Sequence, residues 1–169
     1  MRKNLRWAFT VILAAMLETT WIENIRYLDV VPDLSLIMVI YFAIADGEER
    51  AMFTGAIGGL FQDIATNSTL GHHVLCHVVI GYVAGRIATR LITDHPAVKA
   101  GLVLCASIVA GLLSILILYV QDPSIPATVN ILARVVPGAF YTALFTPILF
   151  IVLDRVFPKK ELALDEGIA

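Results

Sequence analysis

Charge is scarce in this sequence. Of its 169 residues only 15% are Asp, Glu, Lys or Arg, against 59% hydrophobic, where a soluble domain carries about 25% and about 45–50%. With a mean hydropathy of +0.84, lipid is the expected solvent. A basic excess is also missing: the net charge is −2, which excludes the clustered basic face that nucleic acid requires. Cysteine is nearly absent. Cys76 and Cys105 both fall in apolar runs, so neither a disulfide framework nor a CxxC metal site is expected. No HExxH, no phosphate-cradling glycine loop with a lysine and no Ser/His/Asp order occurs, which removes the familiar enzyme classes and leaves no cofactor implied. Long polar stretches are missing too, so there is no room for a soluble catalytic domain.

What the chain does have is apolar runs. They lie at about Leu5–Thr20, Pro32–Ala45, Ala51–Ile64, Leu75–Ile92, Ala97–Val120 and Val135–Phe157. A span takes about 20 residues, so the reading is an all-α polytopic membrane protein. Six transmembrane helices form one bundle over residues 1–157, followed by a short cytoplasmic tail over 158–169. Four spans plus a re-entrant pair is the alternative. The second and third runs are short for a bilayer of about 30 Å, so they must tilt, extend or be shielded by other helices. The opening Met1-Arg2-Lys3 before an apolar run resembles a signal peptide, but no small-x-small cleavage site follows cleanly, and it is read as a retained span.

Orientation comes from the basic residues. With the N-terminus cytoplasmic, Arg2, Lys3, Arg6, Arg50, Arg86, Arg90, Lys99, Arg155, Lys159 and Lys160 fall inside, and only Arg26 and Arg134 of the 12 fall outside. That bias places both termini in the cytoplasm. Asp46-Gly47-Glu48-Glu49-Arg50 and Thr93-Asp94-His95-Pro96 become inner turns. Asn67-Ser68-Thr69-Leu70-Gly71, which contains a sequon, and Gln121-Asp122-Pro123-Ser124-Ile125-Pro126 become outer ones.

Two kinds of residue interrupt the apolar pattern. Small residues at i, i+4 let helix backbones approach closely in lipid. Gly55 and Gly59 on the third span, and Gly81 and Gly85 on the fourth, form such GxxxG seams, for packing within the chain or for a homodimer. Ionisable groups at membrane depth each need a partner or a wet cavity. Glu18 lies roughly 18 Å beyond Arg6 along its helix and Asp63 roughly 20 Å beyond Arg50, by the rise per residue. With His73, His77 and Arg134 they form a candidate outer polar pocket, open to a small ligand or a membrane lipid headgroup. The bland alternative is that the carboxylates snorkel to the interface or pair with Arg134. His73 and His77 share a helix face, and His72 and Asp63 nearby could bring the ligand count to four, yet histidines beside a loop are ordinary and no metal is expected.

Pro32-Asp33-Leu34-Ser35-Leu36-Ile37-Met38-Val39-Ile40-Tyr41, followed by Gly55-Ala56, Gly58-Gly59-Leu60, Gln62-Asp63, Leu70-Gly71 and Gly81-Tyr82 with Gly85, resembles the MreD family, rod shape-determining membrane proteins of bacteria. The acidic inner turn departs from the more basic turn of that family. The resemblance implies a non-enzymatic scaffold of the bacterial inner membrane in the cell-elongation (peptidoglycan synthesis) machinery. It would dock the membrane span of MreC, alongside MreB, RodZ, and RodA with its transpeptidase partner. The family is also similar in fold to the S components of energy-coupling-factor transporters, which makes a solute-binding importer subunit the competing reading. The Ala-xxx-Ala docking pattern of S components is missing, since Ala8 is followed by Ile12, Ala14 by Glu18 and Ala15 by Thr19.

Overall fold

The computed structural model describes residues 2–21, 31–66, 69–90, 95–123 and 131–157. Arg26, residues 67 and 68 of the sequon, Thr93 and Asp94 of the second inner turn, the loop from Ser124 and the tail over 158–169 lie outside that set. Every regular element among the described residues is helical: α1 (Arg2–Trp21), α2 (Leu34–Ala45), α3 (Glu48–Ala65), α4 (His72–Ala88), α5 (Pro96–Gln121) and α6 (Val136–Val156), the last entered through a π-helical turn at Ile131–Val135. Local chemistry sets several boundaries. Asp33 caps α2, its side chain accepting from the Leu36 N–H at 2.7 Å, and Pro96 stands in the first turn of α5, where a missing N–H costs nothing. Gly47 turns α2 into α3 at φ +88°, a left-handed conformation that side chains resist.

The bundle is built around α2. Its residues Ser35 to Ala43 are all buried, and it packs against α1, α3, α4, α5 and α6. A helix apolar on every side belongs in the middle of protein, and this accounts for the shortness of the second apolar run. At 12 residues it spans about 18 Å, and its neighbours shield it. Phe42 anchors one end, meeting Tyr41, Phe157 and Trp7 edge-to-face with ring centroids 5.3, 5.4 and 6.5 Å apart.

The glycines hold α3 on α4. A Cβ on Gly59 would stand 2.6 Å from the Val74 nitrogen, and one on Gly85 would collide with the Glu48 Cα. Gly55 and Gly81 meet the other helix's backbone as closely, at His77 and Ala51. The two GxxxG seams therefore lie against each other inside one chain.

The surface is apolar. Phe9, Phe53, Leu75, Leu116, Leu144 and Ile151, one or more from every helix except α2, are all more than half exposed, while Thr54, Gln62, Asp63, His77 and Thr146 are buried. A soluble monomer does not expose apolar surface on this scale, and polar groups sequestered from an apolar exterior suit a protein in lipid. Two helical stretches, Pro96–Gln121 and Ile131–Val156, are long and apolar enough to cross a bilayer by length and composition alone, and Leu34–Ala45 is apolar but shorter.

Candidate functional site

The helix ends gather into two groups. At the basic end, α1, α3 and α5 begin and α2, α4 and α6 finish. Arg50 reaches Asn4 at 2.8 Å and Asp46 at 3.6 Å and lies over the Trp7 ring, while Arg86 meets Glu48 at 2.9 Å. The acidic inner turn is thus matched by arginines of this chain. At the opposite, carboxylate end lie Glu18, Asp33 and Asp63.

Glu18 is sealed behind the start of α2. It accepts from the Ser35 N–H at 3.0 Å, from the Ser35 hydroxyl, and from Gln62 Nε2 at 2.7 Å. Gln62 also donates to Asp33 Oδ1 at 3.1 Å, so one amide bridges two carboxylates. Asp33 in turn faces His77 Nε2 across 3.1 Å, and its own N–H donates to Thr142 on α6. Each carboxylate collects several donors, as an anion withdrawn from water must.

Asp63 has a different task. Gly71, the residue before α4, has no side chain with which to cap it, so the first N–H groups of that helix need an acceptor from elsewhere. Asp63 supplies it from α3, taking the Gly71 N–H at 2.7 Å and the His73 N–H at 2.9 Å, and it also meets His73 Nδ1 at 2.8 Å. The side chain is fully buried.

A cavity of about 170 Å³ opens beside this network, walled by α2, α4, α5, the π turn and α6. Asp33, His73, His77, Ser107, Ser114 and Arg134 supply its polar lining, and Leu36, Cys76, Ala110 and Ala139 its apolar lining. The five candidate residues thus separate. His73, His77 and Arg134 share the cavity, Asp63 stands behind His73, and Glu18 communicates with it only through Gln62 and Asp33. Arg134 is exposed, and it makes no ion pair with Glu18 or Asp63.

Asp33, Ser35, Gln62 and Thr142 belong to the network without having been singled out as site residues. His72 Nε2 lies 2.6 Å from the Ser114 hydroxyl. A signal for Asp33 was available, because an Asp directly before an apolar helix is a cap whose second oxygen remains free. Gln62 offered none beyond its place next to Asp63. No group of three or more His, Cys, Asp or Glu among the described residues is arranged to hold a metal ion. The geometry suits hydrogen bonding and charge recognition.

No curated protein matches the chain, and no solved structure does. The sequence model of the family described as rod shape-determining protein MreD matches residues 1–158, taking in all six helices and both ends of the bundle. The chain therefore belongs to the MreD family, and is a rod shape-determining membrane protein.

Proposed function

We propose that the chain is a non-enzymatic scaffold of the cell-elongation machinery, crossing the bacterial inner membrane six times with both termini cytoplasmic and docking the membrane span of MreC. The family match over residues 1–158 carries this reading. The apolar exterior supports it, because it leaves large side chains on five helices for lipid or a partner span. The distribution of arginine and lysine supports the orientation, since Arg134 is the sole described basic residue at the carboxylate end. MreB, RodZ, and RodA with its transpeptidase partner would be reached through the same assembly. A homodimer would have to use a surface other than the glycine seams, which α3 and α4 occupy with each other.

The cavity favours one second reading, a solute-binding subunit of an energy-coupling-factor importer. Purification of the tagged chain from native membranes in mild detergent separates the two. MreC in the eluate is the expected outcome, and an energy-coupling ATPase pair in its place would overturn the scaffold. A reporter fused to the C-terminus, active only in the cytoplasm, tests the orientation.

A further inference from the structure

The cavity is lined by groups whose hydrogen-bonding roles are fixed by their other partners. His73 turns Nδ1 to Asp63, and His77 turns Nε2 to Asp33. A carboxylate accepts, so in the neutral rings those nitrogens carry the protons. In the neutral ring of His73 the remaining nitrogen, Nε2, is then a lone-pair acceptor. His77 is 2% exposed, and its Nδ1 has no partner, nor does the buried hydroxyl oxygen of Ser107. With three donors on Asp33 at Leu36, Gln62 and His77, a carboxylate that can take about four still has an acceptor position left. The cavity wall at Asp33 and His73 therefore offers acceptors and a negative charge, while Arg134 across from it is exposed.

That separation suits a dipolar occupant with a positive donor group inside and an anion at Arg134. We propose that the cavity binds a phosphoethanolamine group, with the primary ammonium donating to Asp33 and His73 and the phosphate held by the Arg134 guanidinium. Size agrees: about 170 Å³ equals the liquid volume of about six waters, enough for an ethanolammonium with its phosphate at the rim. Leu36, Cys76 and Ala139 give its two methylenes an apolar wall. The π turn at Ile131–Val135 carries Arg134 to the cavity, and such turns recur at functional sites. The inference rests on the reading of the chain as a membrane protein, which sets this end of the bundle near lipid phosphates, and it is independent of any MreC contact.

The test uses the purified full chain in mild detergent, with native mass spectrometry and thermal stabilisation as readouts for added phosphatidylethanolamine, phosphatidylcholine, phosphatidylglycerol and soluble phosphoethanolamine. Phosphatidylethanolamine should bind about tenfold tighter than phosphatidylcholine, whose quaternary ammonium has no N–H to donate. R134A should weaken both lipids alike by about tenfold, through the phosphate they share. D33N, which keeps a capping side chain on α2, should erase the preference for ethanolamine over choline. Displacement of the lipid by soluble phosphoethanolamine would assign recognition to the headgroup itself, whereas binding of the soluble form alone would name a free solute as the occupant. Equal binding of the ethanolamine and choline lipids by the unaltered chain, equal binding of phosphatidylglycerol, or an R134A chain that binds as before would overturn the proposal. The first two comparisons need no variant to fold.

Discussion

At the basic end of the bundle, Arg86 and Glu48 meet at 2.9 Å with side chains 62% and 42% exposed, whereas at the carboxylate end Asp63 is fully buried and meets His73 at 2.8 Å. The distances are nearly equal and the physics is not. An exposed pair is screened and contributes about 0–1 kcal/mol. A buried carboxylate must be supplied with donors, and removing it strands each of them at about 1–3 kcal/mol. One end therefore tolerates loss of charge, while the other is held together by it.

The comparison can be broken in a graded way, reading the unfolding midpoint of purified protein in mild detergent. D33A should have the largest effect, about 2–4 kcal/mol, because it removes the α2 cap and takes the acceptor from His77 and from one of the two Gln62 N–H groups. E18A should follow at about 1–3 kcal/mol, leaving the Ser35 N–H and hydroxyl and one of the two Gln62 N–H groups without their acceptor. G59L forces a side chain into the backbone of α4 and should cost about 1–3 kcal/mol. Because its cause is steric, its effect should be the same at low and high salt. R86A should shift the midpoint least, by under about 1 kcal/mol, and the shift should shrink further at about 0.5 M salt. If R86A proved as damaging as D33A, the distinction between the two ends would fall.

Helix existence was largely readable from the sequence, and so was the gathering of Glu18, Asp63, His73, His77 and Arg134 toward one end of the bundle. The run expected at Pro32–Ala45 folds as Leu34–Ala45, and that at Ala97–Val120 as Pro96–Gln121, because apolar length and a first-turn proline are local properties. Expected from Leu75, α4 begins at His72 instead. The apolar run could not register a start whose cap comes from Asp63 on another helix. The pairings were illegible for a related reason. Rise along a helix fixes how deep Glu18 and Arg134 lie, but not which way they face across a bundle of six. Glu18 turns to Ser35 and Gln62, while Arg134 turns to the cavity. His77 and Asp33 are far apart in sequence, and only the tertiary packing of α4 on α2 makes them neighbours.

The burial of α2 bears on how the chain enters a membrane. About 18 Å of helix cannot hold a span of its own in a bilayer core of about 30 Å, and nearly every side chain it carries is covered by protein. Its residence in the membrane is consequently a property of the assembled bundle. During synthesis this segment has no lipid-facing ground state to wait in. It must be sheltered until α5 and α6 arrive, so a chain cut short before Pro96 would be expected to lose α2 and be degraded.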